Sequence, residues 1–152
     1  MNITKYTFSA LAVLTAGALS SLAHAAPAQS VTVSDCWIRS MPGKLPSGGY
    51  FNLKNSSANP IDLTDVDSDA FGMAMLHQTQ SNGSTSNMVM VDKATVPANG
   101  TLSFAPGGYH VMLEQPKHPL KVGTTVPLTL TFGDGEKITA QCAVKAPGTM
   151  AK

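Results

Sequence analysis

VPLTLTFGDGEKITAQCAV, residues 126–144, is the stretch that decides the fold class. Val126, Leu128, Leu130 and Phe132 alternate with Pro127, Thr129 and Thr131, the period of a strand buried on one face. Gly133-Asp134-Gly135 supplies a turn, after which Ile138, Ala140, Cys142 and Val144 share one face of the returning strand. Outward from this hairpin the same pattern recurs. VTVSDCWIR (31–39) is β-rich and holds the single tryptophan, Trp37, whereas SMPGKLPSGG (40–49), with its prolines and glycines, reads as a loop. Further strands are expected over 49–54, 61–66, 73–77, 88–91, 101–104 and 109–114. Polar or Pro/Gly turns separate them, among them the Ser/Asn/Gly segment before Met88, Pro97-Ala98-Asn99-Gly100 and Pro106-Gly107-Gly108. Beyond the N-terminal segment no ten residues carry helical periodicity. Seven to nine short strands therefore predict an all-β, antiparallel Greek-key sandwich or barrel.

A chain of 152 residues suits one such domain. Its first 25 residues have the form of an export signal: Lys5 ahead of an apolar run from Phe8 to about Leu22, then Ala23-His24-Ala25 as an A-x-A cleavage site. The expected organisation is signal peptide 1–25, domain 26–145 and flexible tail 146–152. The exported chain would have no membrane span and would be a periplasmic monomer. Of the ten Lys and Arg, removal of Lys5 leaves nine against nine Asp and Glu, with no basic cluster, which argues against a nucleic-acid partner. Cys36 and Cys142 are the only cysteines. A structural disulfide is favoured for them in an oxidising compartment, with two buried thiols or a redox pair as the alternatives.

The chemistry is concentrated between His77 and Met112: His77, ten residues, Met88, twenty-one residues, then His110-Val111-Met112. Two imidazoles and two thioethers suit Cu(I) better than hard cations, which take oxygen ligands. Alternation adds to the case. Val111 and Leu113 oppose His110 and Met112; Ala74 and Leu76 oppose Met73, Met75 and His77; Val89 and Val91 oppose Met88 and Met90. Three segments thus divide aliphatics from His and Met. The competing reading is a sheet buried on both faces, its methionines acting as core filler. Met73, Met75 and Met90 are expected to form an apolar collar around the four donors, and His118 to be a solvated loop residue. Asp65, Asp67 and Asp69 do not make a calcium loop, because position six lacks glycine and position twelve, Leu76, lacks glutamate.

The pattern His-x10-Met-x21-His-x-Met, with PGGYHVML (106–113), PLKVGTTVPLTLTFGDGEKIT (119–139) and DCWIRSMPGKLPSGGYFNLKN (35–55), resembles the periplasmic Cu(I) chaperones called PCuAC. The resemblance spans about Val31 to Val144. It implies a cupredoxin-like β-barrel that holds one Cu(I) through His77, Met88, His110 and Met112. It also implies transfer to a copper-accepting protein, the copper subunit of cytochrome c oxidase, alongside a Sco-type protein. The chain departs from that family at Cys36 and Cys142 and in lacking a His/Met-rich tail. Copper storage without a dedicated recipient is the alternative function. A blue-copper electron carrier needs a cysteine ligand, commonly with a following histidine, and neither cysteine has one close behind it. Zinc hydrolysis lacks H-E-x-x-H, and no catalytic base or nucleophile constellation is evident, so the chain is expected not to be an enzyme.

Overall fold

The computed structural model describes residues 29–150. The expected signal peptide lies outside the described residues. Ten strands make up the fold, and the described residues contain no helix. They are β1 (Val31–Arg39), β2 (Ser47–Asn55), β3 (Ile61–Asp67), β4 (Phe71–Ser81), β5 (Ser86–Met90), β6 (Ala94–Val96), β7 (Thr101–Phe104), β8 (Tyr109–Pro116), β9 (Thr125–Phe132) and β10 (Lys137–Lys145). They run β5-β4-β8-β7-β2-β1-β10-β9-β3-β6, with β8 also pairing β2. The all-β expectation holds. Pairing is antiparallel except for β1 against β10 and a single β7–β8 pair, which are parallel.

The hairpin of residues 126–144 behaves as its alternation demands. Val126, Leu128, Leu130, Phe132, Cys142 and Val144 are buried in the main core. Pro127 is tolerated because β3 pairs with β9 only as far as Thr129, leaving β10 alone alongside the proline. The sheet folds back on itself so that β6 approaches β2. Buried Asn55 joins the layers there, donating from Nδ2 to the carbonyls of Asn59 (2.7 Å) and Pro97 (3.1 Å).

Two features differ from the sequence expectation. Ser47 and Gly48 lie inside β2 rather than in the preceding loop, so the strand begins two residues before Gly49. A Cβ on Gly49 would stand 3.3 Å from Val111 Cβ, so this glycine serves close packing rather than a turn. The second is a one-residue bulge in β1, between the pairs Ser34↔Asn52 and Trp37↔Tyr50, with Asp35 at φ 52°. Upstream of it Val31 and Val33 pack against the core; downstream Cys36 and Ile38 do. The bulge therefore reverses which parity faces inward and sends Trp37 and Arg39 to the opposite face.

That reversal brings Cys36 to Cys142. Their Cα atoms are 4.4 Å apart and the sulfurs are bonded, so the favoured disulfide is the one present. It joins residues 106 apart across the parallel β1–β10 seam. In the chain-entropy model closing such a loop contributes roughly 4–5 kcal/mol.

Candidate metal centre

β4 and β8 are adjacent and antiparallel, with Leu76 opposite Val111 and His77 opposite His110. Leu76 and Val111 point into the core, so the two histidines share the other face. Their ring centroids are 5.7 Å apart, inclined at 60°. Two pairs along, Met112 stands opposite Met75 on that same face. β4 continues past His77 to Ser81, so this histidine lies within the strand and not at its end.

His110 is 6% exposed. Its Nδ1 lies 3.1 Å from the Gly108 carbonyl oxygen. A carbonyl can only accept, so Nδ1 carries the hydrogen and Nε2 of the neutral ring is left with a lone pair. That Nε2 is buried and, among the described residues, has no hydrogen-bond partner; the same is true of His77 Nδ1. Buried ring nitrogens without partners are uncommon and call for a physical reason. His77 is held below the ordinary histidine pKa by burial and then by the neighbouring His110, against a smaller opposing influence from Glu114. His77 is thus favoured as neutral imidazole, the form that binds a metal.

The methionines of the edge hairpin are not core filler. Met88 is 63% exposed and Met90 is 67% exposed, and Met73 is also exposed. This disposes of the reading in which both faces of the sheet are buried. Register separates the two β5 methionines. Met90 pairs with His77, whereas Met88 pairs with Thr79, two pairs nearer the hairpin end. Met88 shares with His110 and Met112 the wall of an open cavity of about 310 Å³. The structure thus brings His77, His110 and Met112 onto adjacent positions of two strands and sets Met88 on the cavity beside them. Among the described residues no three His, Cys, Asp or Glu side chains gather into a metal-sized group. The residues in register beside the paired histidines on that face are methionines: Met90 across from His77, and Met75 across from Met112.

Sequence reasoning missed three other residues on that cavity, Arg39, Met41 and Tyr50. Tyr50 is buried outside the main core, under Trp37 (ring centroids 4.5 Å apart) and Arg39, whose Nη2 donates to Tyr50 Oη at 2.6 Å. Burial raises the Tyr50 pKa, only partly offset by the Arg39 charge, so the phenol stays protonated at neutral pH. Arg39 could not be assigned to this face without the bulge. The Gly48-Gly49 pair before Tyr50 was the available signal, since the position of a Cβ on Gly48 would fall on the Tyr50 ring and hydroxyl.

Residues 31–144 match the family described as "Putative lipoprotein LpqE-like". A protein of Leifsonia xyli subsp. xyli, Lxx21020, is 31% identical over 119 residues, covering 78% of this chain and 71% of its own length. RP573 of Rickettsia prowazekii is 32% identical over 103 residues, 64% of this chain and 57% of its own length. Among solved structures, the copper-bound PCuAC domain from PmoF2 superposes with a TM-score of 0.67 at 26% identity, covering 78% of this chain and 95% of that one. The Cu(I) form of DR1885 from Deinococcus radiodurans gives a TM-score of 0.61 at 34% identity, covering 84% and 85%. The chain belongs to the LpqE-like family and has the cupredoxin-like β-fold of PCuAC domains.

Proposed function

We propose that this protein is an exported carrier of Cu(I), held by His77, Met88, His110 and Met112 and passed to a copper-accepting protein. The observation that carries the reading is the pair of buried, unpartnered ring nitrogens, His77 Nδ1 and His110 Nε2, on facing residues flanked by thioethers. Left without a ligand, each nitrogen costs the desolvation of a polar group; a soft cation would remove that cost. Neutral His and Met donors suit Cu(I) and discriminate against oxygen-seeking ions. The two cysteines are bonded to each other, so the donor set contains no thiolate that an oxidising compartment could consume.

Exposure of Met88 on an edge strand favours carriage over storage, because an exposed thioether can be exchanged for an incoming ligand without opening the fold. The recipient we infer is the copper subunit of cytochrome c oxidase, with a Sco-type protein as an accessory, and the compartment is the periplasm. No helix among the described residues is long and apolar enough to cross a membrane.

Competition for Cu(I) against a chromophoric chelator tests the binding. The expected result is one Cu(I) per chain, in preference to Zn(II), with affinity weakened about 10- to 100-fold in the His110→Ala/Met112→Leu double variant. Equal affinity in that variant would overturn the assignment. Transfer from the loaded protein to an apo oxidase copper domain, faster than through free copper, separates a carrier from a sink.

A further inference from the structure

The cross-strand row through Met112 does not end at the copper ligands. Met112 pairs with Gly48 of β2, Gly48 pairs with Arg39 of β1, and Arg39 pairs with Lys145 of β10. Residues paired in register share a face, so Arg39 looks out on the same side of the sheet as Met112, two strands away. At the usual strand spacing their backbones are about 10 Å apart. The residue between them is glycine, and the space above it is taken by the Tyr50 hydroxyl, to which Arg39 is bonded. Arg39 thus stands on the cavity wall shared by Met88, His110 and Met112.

Charge makes this placement unusual. Arg39 and Lys145 are partners across the parallel seam; Lys145 Nζ lies over the Trp37 ring, 4.9 Å from its centroid, whereas Arg39 lies over Tyr50. Among the described residues neither has a carboxylate within ion-pair distance; the ion pair found there joins Lys93 and Asp62. The acid on the copper face of β8, Glu114, pairs with Met73 on the side of β8 away from Arg39. One guanidinium N–H is spent on Tyr50, which fixes the group and leaves others free. A fixed cation beside a cation-binding site does nothing to hold Cu(I). It does favour an anion arriving there.

We propose that Arg39 selects the incoming ligand in copper transfer, drawing a thiolate ligand of net negative charge from the acceptor into the cavity next to Met88. The inference rests on the Cu(I) reading of the site. In the step, the thiolate sulfur forms a bond to Cu(I) as the Met88 thioether leaves. The metal remains Cu(I), and the sulfur arrives already deprotonated, so neither an electron nor a proton moves. The guanidinium then faces a negative ligand instead of a bare monovalent cation, which lowers the barrier to exchange without tightening the resting site.

The test uses the Cu(I)-loaded mature protein and two thiols of similar length and opposite charge, 3-mercaptopropionate and cysteamine. Each variant is compared with wild type using the same thiol. Arg39→Gln is expected to slow copper removal by 3-mercaptopropionate about tenfold at low ionic strength. Removal by cysteamine should be unchanged or faster, and added salt should erase the difference. Arg39→Lys should restore the rate with 3-mercaptopropionate, and Lys93→Gln, a cation at the β6 edge, should alter neither rate. Intact mass at the end of each run checks that the Cys36–Cys142 bridge survives the thiol. A proportional change with both thiols, or failure of Arg39→Lys to restore the rate, overturns the inference while leaving copper binding intact. Wild-type protein that takes up no Cu(I) overturns the proposed function, and this step with it.

Discussion

The two faces of β8 are one residue apart and do opposite work. Val111 and Leu113 are fully buried among Leu76, Leu128 and their neighbours, where shape and volume decide what is tolerated. His110 and Met112 face the other way, toward an open cavity, an unpartnered nitrogen and two exposed edge-strand methionines. Among the described residues the inner face leaves no buried side-chain nitrogen or oxygen without a partner. On the outer face the fold holds two ring nitrogens away from water and supplies no partner. The inner face therefore sets stability, and the outer face sets affinity for something that is not protein.

If that division is right, the two properties can be broken separately. The largest effect belongs to the covalent seam that backs the inner face. The Cys36→Ala/Cys142→Ala variant should lose up to about 4–5 kcal/mol in urea denaturation, with Cu(I) affinity of the folded protein changed less than about twofold. Leu113→Ala, one residue from Met112, should cost roughly 2–5 kcal/mol through the cavity it leaves, again with little effect on copper. The His110→Ala/Met112→Leu variant should invert this outcome, losing copper affinity at a smaller cost in urea than Leu113→Ala, since the alanine gives up the Nδ1–Gly108 hydrogen bond but also removes a buried nitrogen that had no partner. A copper-blind His110 variant that also unfolds would mean that the faces are not independent.

Acid should sharpen the contrast more gently. His77 has its pKa lowered in the folded protein, so between its folded and unfolded values the unfolded chain binds more protons. This contribution to apo stability is fully present above the ordinary histidine pKa and is lost as pH falls toward the folded value. Thermal unfolding of the apo protein at about pH 5 and at neutrality should show a small drop at the acid end. His77→Asn should remove that part of the drop. The smallest effect is expected at Met90. It stands in register with His77 but does not line the cavity, so Met90→Leu should alter Cu(I) affinity less than about threefold. Chelator competition would detect a larger loss, which would make Met90 rather than Met88 the fourth donor.

Much of this division was already written in the alternation of side chains. Alternation sets Val111 and Leu113 opposite His110 and Met112, and Ala74 and Leu76 opposite Met73, Met75 and His77, because a strand's period of two is a local property of the backbone; whether the His/Met face is also buried is left open by it. Ala94–Val96 was not recognised as a strand, since three residues between Lys93 and Pro97 are too few to show a period; only pairing with β3 holds them extended.

What the sequence determined by itself was the class of fold, the donor types and the side of each strand on which they lie. The tertiary structure decided which strands stand together: that His77 faces His110, that Met90 and not Met88 is in register with His77, and that β1 closes against β10 in parallel. It also decided the consequences of one bulge at Asp35, which turned Cys36 toward Cys142 and Arg39 toward the face that carries His110 and Met112. Alternation repeats every two residues whatever lies next door, whereas register is set by hydrogen bonds to distant strands, and a single inserted residue exchanges the faces of everything beyond it.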